Sequence, residues 1–299
     1  MTVQSLAKLT LNCGRSMPVL GLGTYRMKDP QQIKSVVRAA IESGYRLIDS
    51  ATGYGNEASI GEVLRELFAD PALNLKREDV FIASKLAPKD QGYDACTRAV
   101  EKSLQNFGVE YIDLYYIHWP GTQGLKPEDP RNAENRRESW RALEQLYKQG
   151  KLRAIGVSNY TVEHLNQLLS HCEIPPAACQ FEIHPLYHDL PLINLCRERG
   201  IQVQAYSSLG EGHLVREDGI VLPQIYKIAA WHEKTPAQIL LRWAVQHGYG
   251  IIPKSTSEER VRENADVFGF QLTEDEMEVI DSLSAKYPRK FCWDPIKVL

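Results

Sequence analysis

The sequence predicts a single α/β barrel of eight parallel strands with helices outside, and three observations predict it. Short β-branched or apolar runs alternate with longer amphipathic ones, and eight of the short runs occur. Gly, Pro, Asn or Asp punctuates the joints between them. The 299 residues suit one such barrel, and no linker rich in Pro, Gly or Ser divides them. A single domain over 1–299 is therefore expected.

The strand-like runs are 19–23, 46–49, 80–85, 112–118, 153–158, 178–182, 202–206 and 250–253. In the first intervening helix, 30–43, Ile33, Val36, Val37 and Ile41 recur at helical spacing. Segments 57–68, 93–107, 136–149, 162–169 and 190–199 behave similarly. Two helices, 222–231 and 236–246, stand where one is expected, and 273–285 forms another after the last strand. Thr273 with Glu276 makes a capping box, hydroxyl and carboxylate each satisfying a free amide. At the amino end, 9–12 followed by Gly14 and Met17 reads as a small hairpin that could plug the lower mouth.

Hydrophobic residues make up 43% and charged residues 24%, with a net charge of −3 and no long run of like charges. Nucleic acid and membrane surfaces are poor partners for such a chain. No stretch approaches the roughly 18 consecutive apolar residues that a spanning helix needs. The amino terminus lacks the apolar core and cleavage site of a signal peptide. The six cysteines are scattered without a CxxC pair and read as reduced thiols. A cytoplasmic monomer is expected.

Barrels of this kind work at the C-terminal ends of their strands. There the second strand ends in Asp49 and runs into a glycine loop bearing Tyr54, the third ends in Lys85, and the fourth in His118 followed by Trp119. Singly each has a bland reading: Asp49 as a loop cap, Tyr54 as packing, His118 as a bonded core residue. Together they make a proton-donor site. A tyrosine hydroxyl has a reference pKa of about 10, and a nearby ammonium lowers it by favouring the phenolate. Aspartate keeps that ammonium charged, and histidine orients a carbonyl oxygen. No side chain delivers hydride, so a nicotinamide must supply it.

The chain resembles the aldo-keto reductases along nearly its whole length. The resemblance rests on GLGTY at 21–25, RLIDSATGYGNE at 46–57, SKL at 84–86, DLYYIHWP at 113–120, GVSNY at 156–160, IPKS at 252–255 and RVRENADVF at 260–268. It implies NADPH-dependent reduction of an aldehyde or ketone to an alcohol. Tyr54 would be the general acid, Lys85 and Asp49 would tune it, and His118 would orient the carbonyl. It also implies cofactor contacts at Gly23, Thr24, Tyr25, Asp49, Ser158, Asn159, Gln180, Tyr206, Ser207 and Leu209. The late segment adds Lys254, Ser255, Arg260, Glu263 and Asn264. Ser158, Asn159 and Gln180 would hold the carboxamide, and Tyr206 would stack on the nicotinamide. Ordinary solvated charges opening a helix are the alternative for Lys254 and Arg260.

The substrate would meet Tyr54, His118 and the aromatic side chains of Tyr25, Trp119, Phe291 and Trp293. A hydrophobic clip that merely pins the tail is the alternative for the last two. The late loop and tail look most like those of fish and invertebrate members, which suggests sugar- or uronate-derived keto acids and aldehydes. The loop after Leu209, 211–220, is shorter than the flap of better-studied members.

Some motifs are set aside. Gly21-Leu22-Gly23 begins a GxGxxG pattern, but Arg26 stands at its third glycine. His184 and His188 have the spacing of a helical metal pair, yet Pro185 opposes a helix there, and no metal is expected. Other readings are a non-catalytic cofactor-binding subunit, a metal-dependent hydrolase on the same barrel, or a structural protein recruited from a reductase.

Overall fold

The computed structural model describes residues 7–216, 219–220 and 222–299. Residues 1–6, and Glu217 and Asp218 of the loop expected after Leu209, lie outside the described residues. A two-stranded hairpin, β1 (Lys8–Thr10) and β2 (Ser16–Pro18), precedes the main sheet. Eight parallel strands follow: β3 (Gly21–Gly23), β4 (Leu47–Asp49), β5 (Phe81–Leu86), β6 (Leu114–Ile117), β7 (Ile155–Ser158), β8 (Ala178–Glu182), β9 (Gln202–Tyr206) and β10 (Gly250–Ile251). They pair in sequence order, and Leu20 bridges Ile251 in parallel to bring the last strand beside the first. Gly23 is needed at this seam: a Cβ there would lie 2.6 Å from the Ile252 carbonyl oxygen.

The helices α1 (Pro30–Glu42), α2 (Glu57–Ala69), α3 (Tyr93–Phe107), α4 (Arg131–Lys148), α5 (Val162–Leu169), α6 (Leu190–Glu198), α7 (Pro223–Trp231) and α8 (Pro236–Gln246) fill the connections. Their apolar faces and the outward strand residues form one large core, with Ile33, Leu64, Trp140 and Leu165 buried in it. A second core fills the barrel itself. Leu47, Phe81, Leu114, Tyr116 and Ile252 point inward, and Leu11 and Met17 of the hairpin close it from below. The hairpin is thus the plug that its sequence suggested.

Several boundaries shift by one to three residues from expectation, and two differ more. Helix α4 begins at Arg131, five residues before the expected 136, because Asp129 accepts the amide of Arg131 ahead of a polar first turn. The expected helix 273–285 is broken at Ser282 into α10 (Glu274–Asp281) and α11 (Leu283–Lys286). Its capping box is present, with the Glu276 amide donating to the Thr273 hydroxyl and the Thr273 amide to the Glu276 carboxylate. Helix α9 (Glu258–Ala265) had no apolar period to announce it, since only Val261 and Asn264 are buried. Ser257 caps it, and Glu258 and Glu259 complement the dipole of its first turn.

Candidate active site

The C-terminal ends of β4, β5 and β6 place four chemically active side chains together. Asp49 ends β4, Lys85 lies one residue from the end of β5, and His118 follows β6. Tyr54 sits on a short 3-10 turn, Thr52–Tyr54, directly after β4. Asn56 pins that loop: it is buried, accepts the Ser50 hydroxyl at 2.7 Å and donates to the Thr24 and Met27 carbonyls.

Lys85 donates to Asp49 at 2.5 Å and to the Ser50 carbonyl at 2.9 Å, both side chains being almost wholly buried. Its ammonium nitrogen lies 5.3 Å from the Tyr54 ring centroid. The Tyr54 ring contacts His118 edge-on at 5.6 Å and Tyr25 at 5.1 Å. Burial pushes the Tyr54 hydroxyl well above its ordinary range, and the charge of Asp49 adds to the effect. The net direction at Tyr54 is thus set by burial rather than by the Lys85 charge, whose ammonium is engaged by Asp49 and Ser50. His118 is driven the other way, well below the usual histidine value, by burial and then by the Lys85 charge.

The next strand ends supply polar groups close to these four side chains. Asn159 and Ser207, directly after β7 and β9, adopt left-handed backbone at φ 60° and φ 50°. Such backbone on residues other than glycine marks functional loops. The Asn159 amide donates to the His118 carbonyl at 2.9 Å and to the Ser158 hydroxyl at 3.2 Å, and its oxygen accepts from Tyr206 at 2.6 Å. Gln180 donates to Asp49 at 2.9 Å. The Thr24 hydroxyl donates to the Asp49 carbonyl at 2.9 Å.

Beyond β10, Lys254 is exposed, and its pKa is lowered by burial of part of the chain and by the charges of Arg26 and Arg260. Among the described residues neither Lys254 nor Arg260 has an ion-pair partner. Ser255 is tied into its own turn by bonds with Ser257, and Glu263 accepts the Thr235 hydroxyl at 2.5 Å. Asn264 is buried under the same turn of α9, and Leu209 packs against the core.

At the mouth the structure parts two residues that the sequence put together. Trp293 is half exposed and meets Trp119 edge-on at 5.1 Å. Phe291, expected beside it, packs against the core, stacks on His213 at 5.2 Å and meets His184 at 5.1 Å. Phe291 pins the tail to the barrel, and Trp293 stays near the surface beside Trp119. Glu182, which sequence reasoning passed over, anchors this tail: its carboxylate accepts the amides of Phe291 at 2.7 Å and Cys292 at 3.0 Å and the His184 ring at 2.9 Å. Its place two residues after Gln180, on the same face of β8, was the available signal. Ser208 was also passed over; its hydroxyl is buried without a described partner.

His184 and His188 do not form a pair. The first turns back through a bridge to Tyr187, and the second lies edge-on to Trp243 at 5.8 Å. Among the described residues no group of three His, Cys, Asp or Glu gathers to hold a metal ion, and no helix is long and apolar enough to cross a membrane.

A closed parallel barrel thus carries a buried Lys–Asp pair beside a tyrosine and a histidine at the C-terminal ends of its strands. The family model described as "Aldo/keto reductase family" matches residues 19–285, and the chain belongs to that family. It is accordingly an oxidoreductase that reduces carbonyl compounds with a nicotinamide cofactor. The chain is 43% identical to a glyoxal reductase of Bacillus subtilis, covering 92% of this chain and 91% of the relative. It is 42% identical to a 9,11-endoperoxide prostaglandin H2 reductase of Trypanosoma cruzi, with the same coverage of 92% and 91%. Among solved structures, a Bombyx mori aldo-keto reductase in complex with NADP superposes with a TM-score of 0.85 at 32% identity, covering 93% of each chain.

Proposed function

We propose that Tyr54 is the proton donor in the reduction of an aldehyde or ketone, with NADPH preferred over NADH. The observation that carries this reading is the buried Lys85–Asp49 pair, placed 5.3 Å from the Tyr54 ring by the ends of two adjacent strands. The Tyr54 hydroxyl, kept protonated by burial, gives its proton to the carbonyl oxygen. The Lys85 ammonium then stabilises the phenolate that remains. His118, held neutral, has one ring N–H to donate and so orients the carbonyl without adding charge.

The residues present fit a nicotinamide cofactor. Lys254 and Arg260 supply cations of the kind a 2′-phosphate needs, and the charge of Arg26, itself 4.0 Å from the Glu211 carboxylate, is also felt at Lys254. When bound, the reduced nicotinamide supplies the hydride. Ser158, Asn159 and Gln180 would hold its carboxamide. Tyr206, fixed by its bond to Asn159, would offer its ring as a stacking face. Gly23, Thr24, Tyr25, Ser207, Leu209 and Asn264 would border the remainder of the cofactor, whereas the bonds of Ser255 and Glu263 give them a structural part.

Tyr25, Trp119 and Trp293 make an aromatic-walled mouth that suits sugar- or uronate-derived keto acids and aldehydes. We place the enzyme in the cytosol as a single-domain monomer. The test is NADPH consumption across aldehydes, ketones, aldoses and uronate-derived keto aldehydes, with Tyr54→Phe as control. The variant should bind NADPH normally and lose about 10²–10⁴-fold in kcat. Retention of most of kcat would remove Tyr54 from the role.

A further inference from the structure

Below the site just described, three polar side chains are buried inside the barrel where aliphatic residues would fill the space. Gln180, Gln204 and Tyr116 are each at most 2% exposed. Gln180 and Gln204 face each other as register partners of β8 and β9. Tyr116 reaches them across Gly156, where a Cβ would come within 2.8 Å of its ring. Buried polar groups of this kind are costly unless every one is bonded.

The bonds here have a direction. The Tyr116 hydroxyl donates to Gln204 Oε1 at 2.8 Å, and Gln180 Nε2 donates to that same oxygen at 2.7 Å. Gln180 Nε2 also donates to Asp49 Oδ2 at 2.9 Å. An amide nitrogen has two hydrogens, so Gln180 has none left. Its Oε1 takes no hydrogen bond from a described residue.

We infer that Gln204 and Tyr116 are positioning residues that fix the Gln180 amide with its oxygen toward the cofactor cleft, ready to accept from the nicotinamide carboxamide N–H. This rests on the cofactor reading above. Turned over, Gln180 would set its oxygen against both Asp49 Oδ2 and Gln204 Oε1. Turned over, Gln204 would set its own N–H groups against those of Gln180. The Tyr116 proton decides the second choice, because it requires an acceptor. Burial and the Asp49 charge raise the pKa of that hydroxyl well above its ordinary range, outweighing the opposing bond from the Gln180 side chain, so it keeps its proton.

The test compares Kd for NADP+ with Kd for its 3-acetylpyridine analogue, in which a methyl group replaces the carboxamide NH2. It uses wild type, Tyr116→Phe and Gln204→Met. Tyr116→Phe removes one oxygen and leaves the ring over Gly156. Wild type should prefer NADP+ by about three- to tenfold, the effect of one ordinary hydrogen bond. Both variants should lose most of that preference through weaker NADP+ binding, with the analogue bound as in wild type. A purely structural role would weaken both ligands equally, and that outcome overturns the inference. So does an unchanged preference in the variants. A wild type that does not distinguish the two ligands would sink the carboxamide role of Gln180 itself, and this inference with it.

Discussion

The Lys85 ammonium lies 2.5 Å from the Asp49 carboxylate, with 1% and 3% of the two side chains exposed. A buried pair of this kind contributes little net stability, but breaking it by removing one partner costs about 3–5 kcal/mol. Lys85→Met should therefore abolish turnover and lower stability on that scale. Lys85→Met combined with Asp49→Asn should recover most of the stability and none of the activity. Urea denaturation alongside NADPH consumption checks both halves; additive losses of stability would show that the two charges are not coupled.

His118 predicts an absence of pH dependence. Its folded pKa lies well below the ordinary value, through burial and then the Lys85 charge, so it stays neutral where a free histidine titrates. Its contribution to stability is complete above about pH 6.5, the unfolded value, and is lost as pH falls from there through the folded pKa. The profile of kcat/KM should be flat between about pH 6 and 7.5. An inflection in that window that disappears in His118→Gln would contradict the neutral assignment.

The tail predicts a separation of effects. Trp293→Ala should raise KM for bulky carbonyls while leaving stability and NADPH affinity close to wild type. Phe291→Ala should instead lower stability by about 1–2 kcal/mol, in keeping with a half-buried ring. Burial alone would raise the pKa of Glu182, but bonds from His184 and from the Phe291 and Cys292 amides bring it below the ordinary value. Its stabilisation is present above the unfolded carboxylate pKa and is lost as pH falls through the folded one, so acid should loosen the tail. Tryptophan fluorescence in wild type and Glu182→Gln measures this; an identical acid response in both would exclude the carboxylate as the latch.

Cofactor choice tests the cations Lys254 and Arg260. A charge-assisted hydrogen bond contributes about 1.5–3 kcal/mol, so Lys254→Met and Arg260→Ala should each weaken NADPH by roughly ten- to a hundredfold. NADH, lacking the 2′-phosphate, should bind both variants nearly as it binds wild type. Fluorescence quenching gives both constants, and equal wild-type affinities would defeat the assignment.

Much of the architecture was legible because a barrel repeats one local rule. Strands β8 and β9 and helices α3, α5 and α8 fall on the residues that periodicity and turn chemistry marked. The start of α4 and the whole of α9 were not, since their first turns are polar and expose no apolar period. Three of the candidate side chains were legible for a related reason: strand ends in a parallel barrel converge, so Asp49, Lys85 and His118 could be read from position, whereas Tyr54 sits in the loop after β4.

The sequence by itself determined the barrel, its family and the identity of the side chains at the rim. Only the tertiary structure decided what surrounds those side chains. Desolvation raises Tyr54 and lowers His118, against the expectation that the Lys85 charge would govern the tyrosine. Phe291 and Trp293 are two positions apart in the chain, yet one enters the core and the other meets Trp119, because Glu182 grips the backbone of Phe291 and Cys292. Tyr116, Gln180 and Gln204 come from three different strands and meet only when the sheet closes. Burial, hydrogen-bond direction and contact across a closed sheet depend on neighbours distant in sequence, which no local pattern encodes.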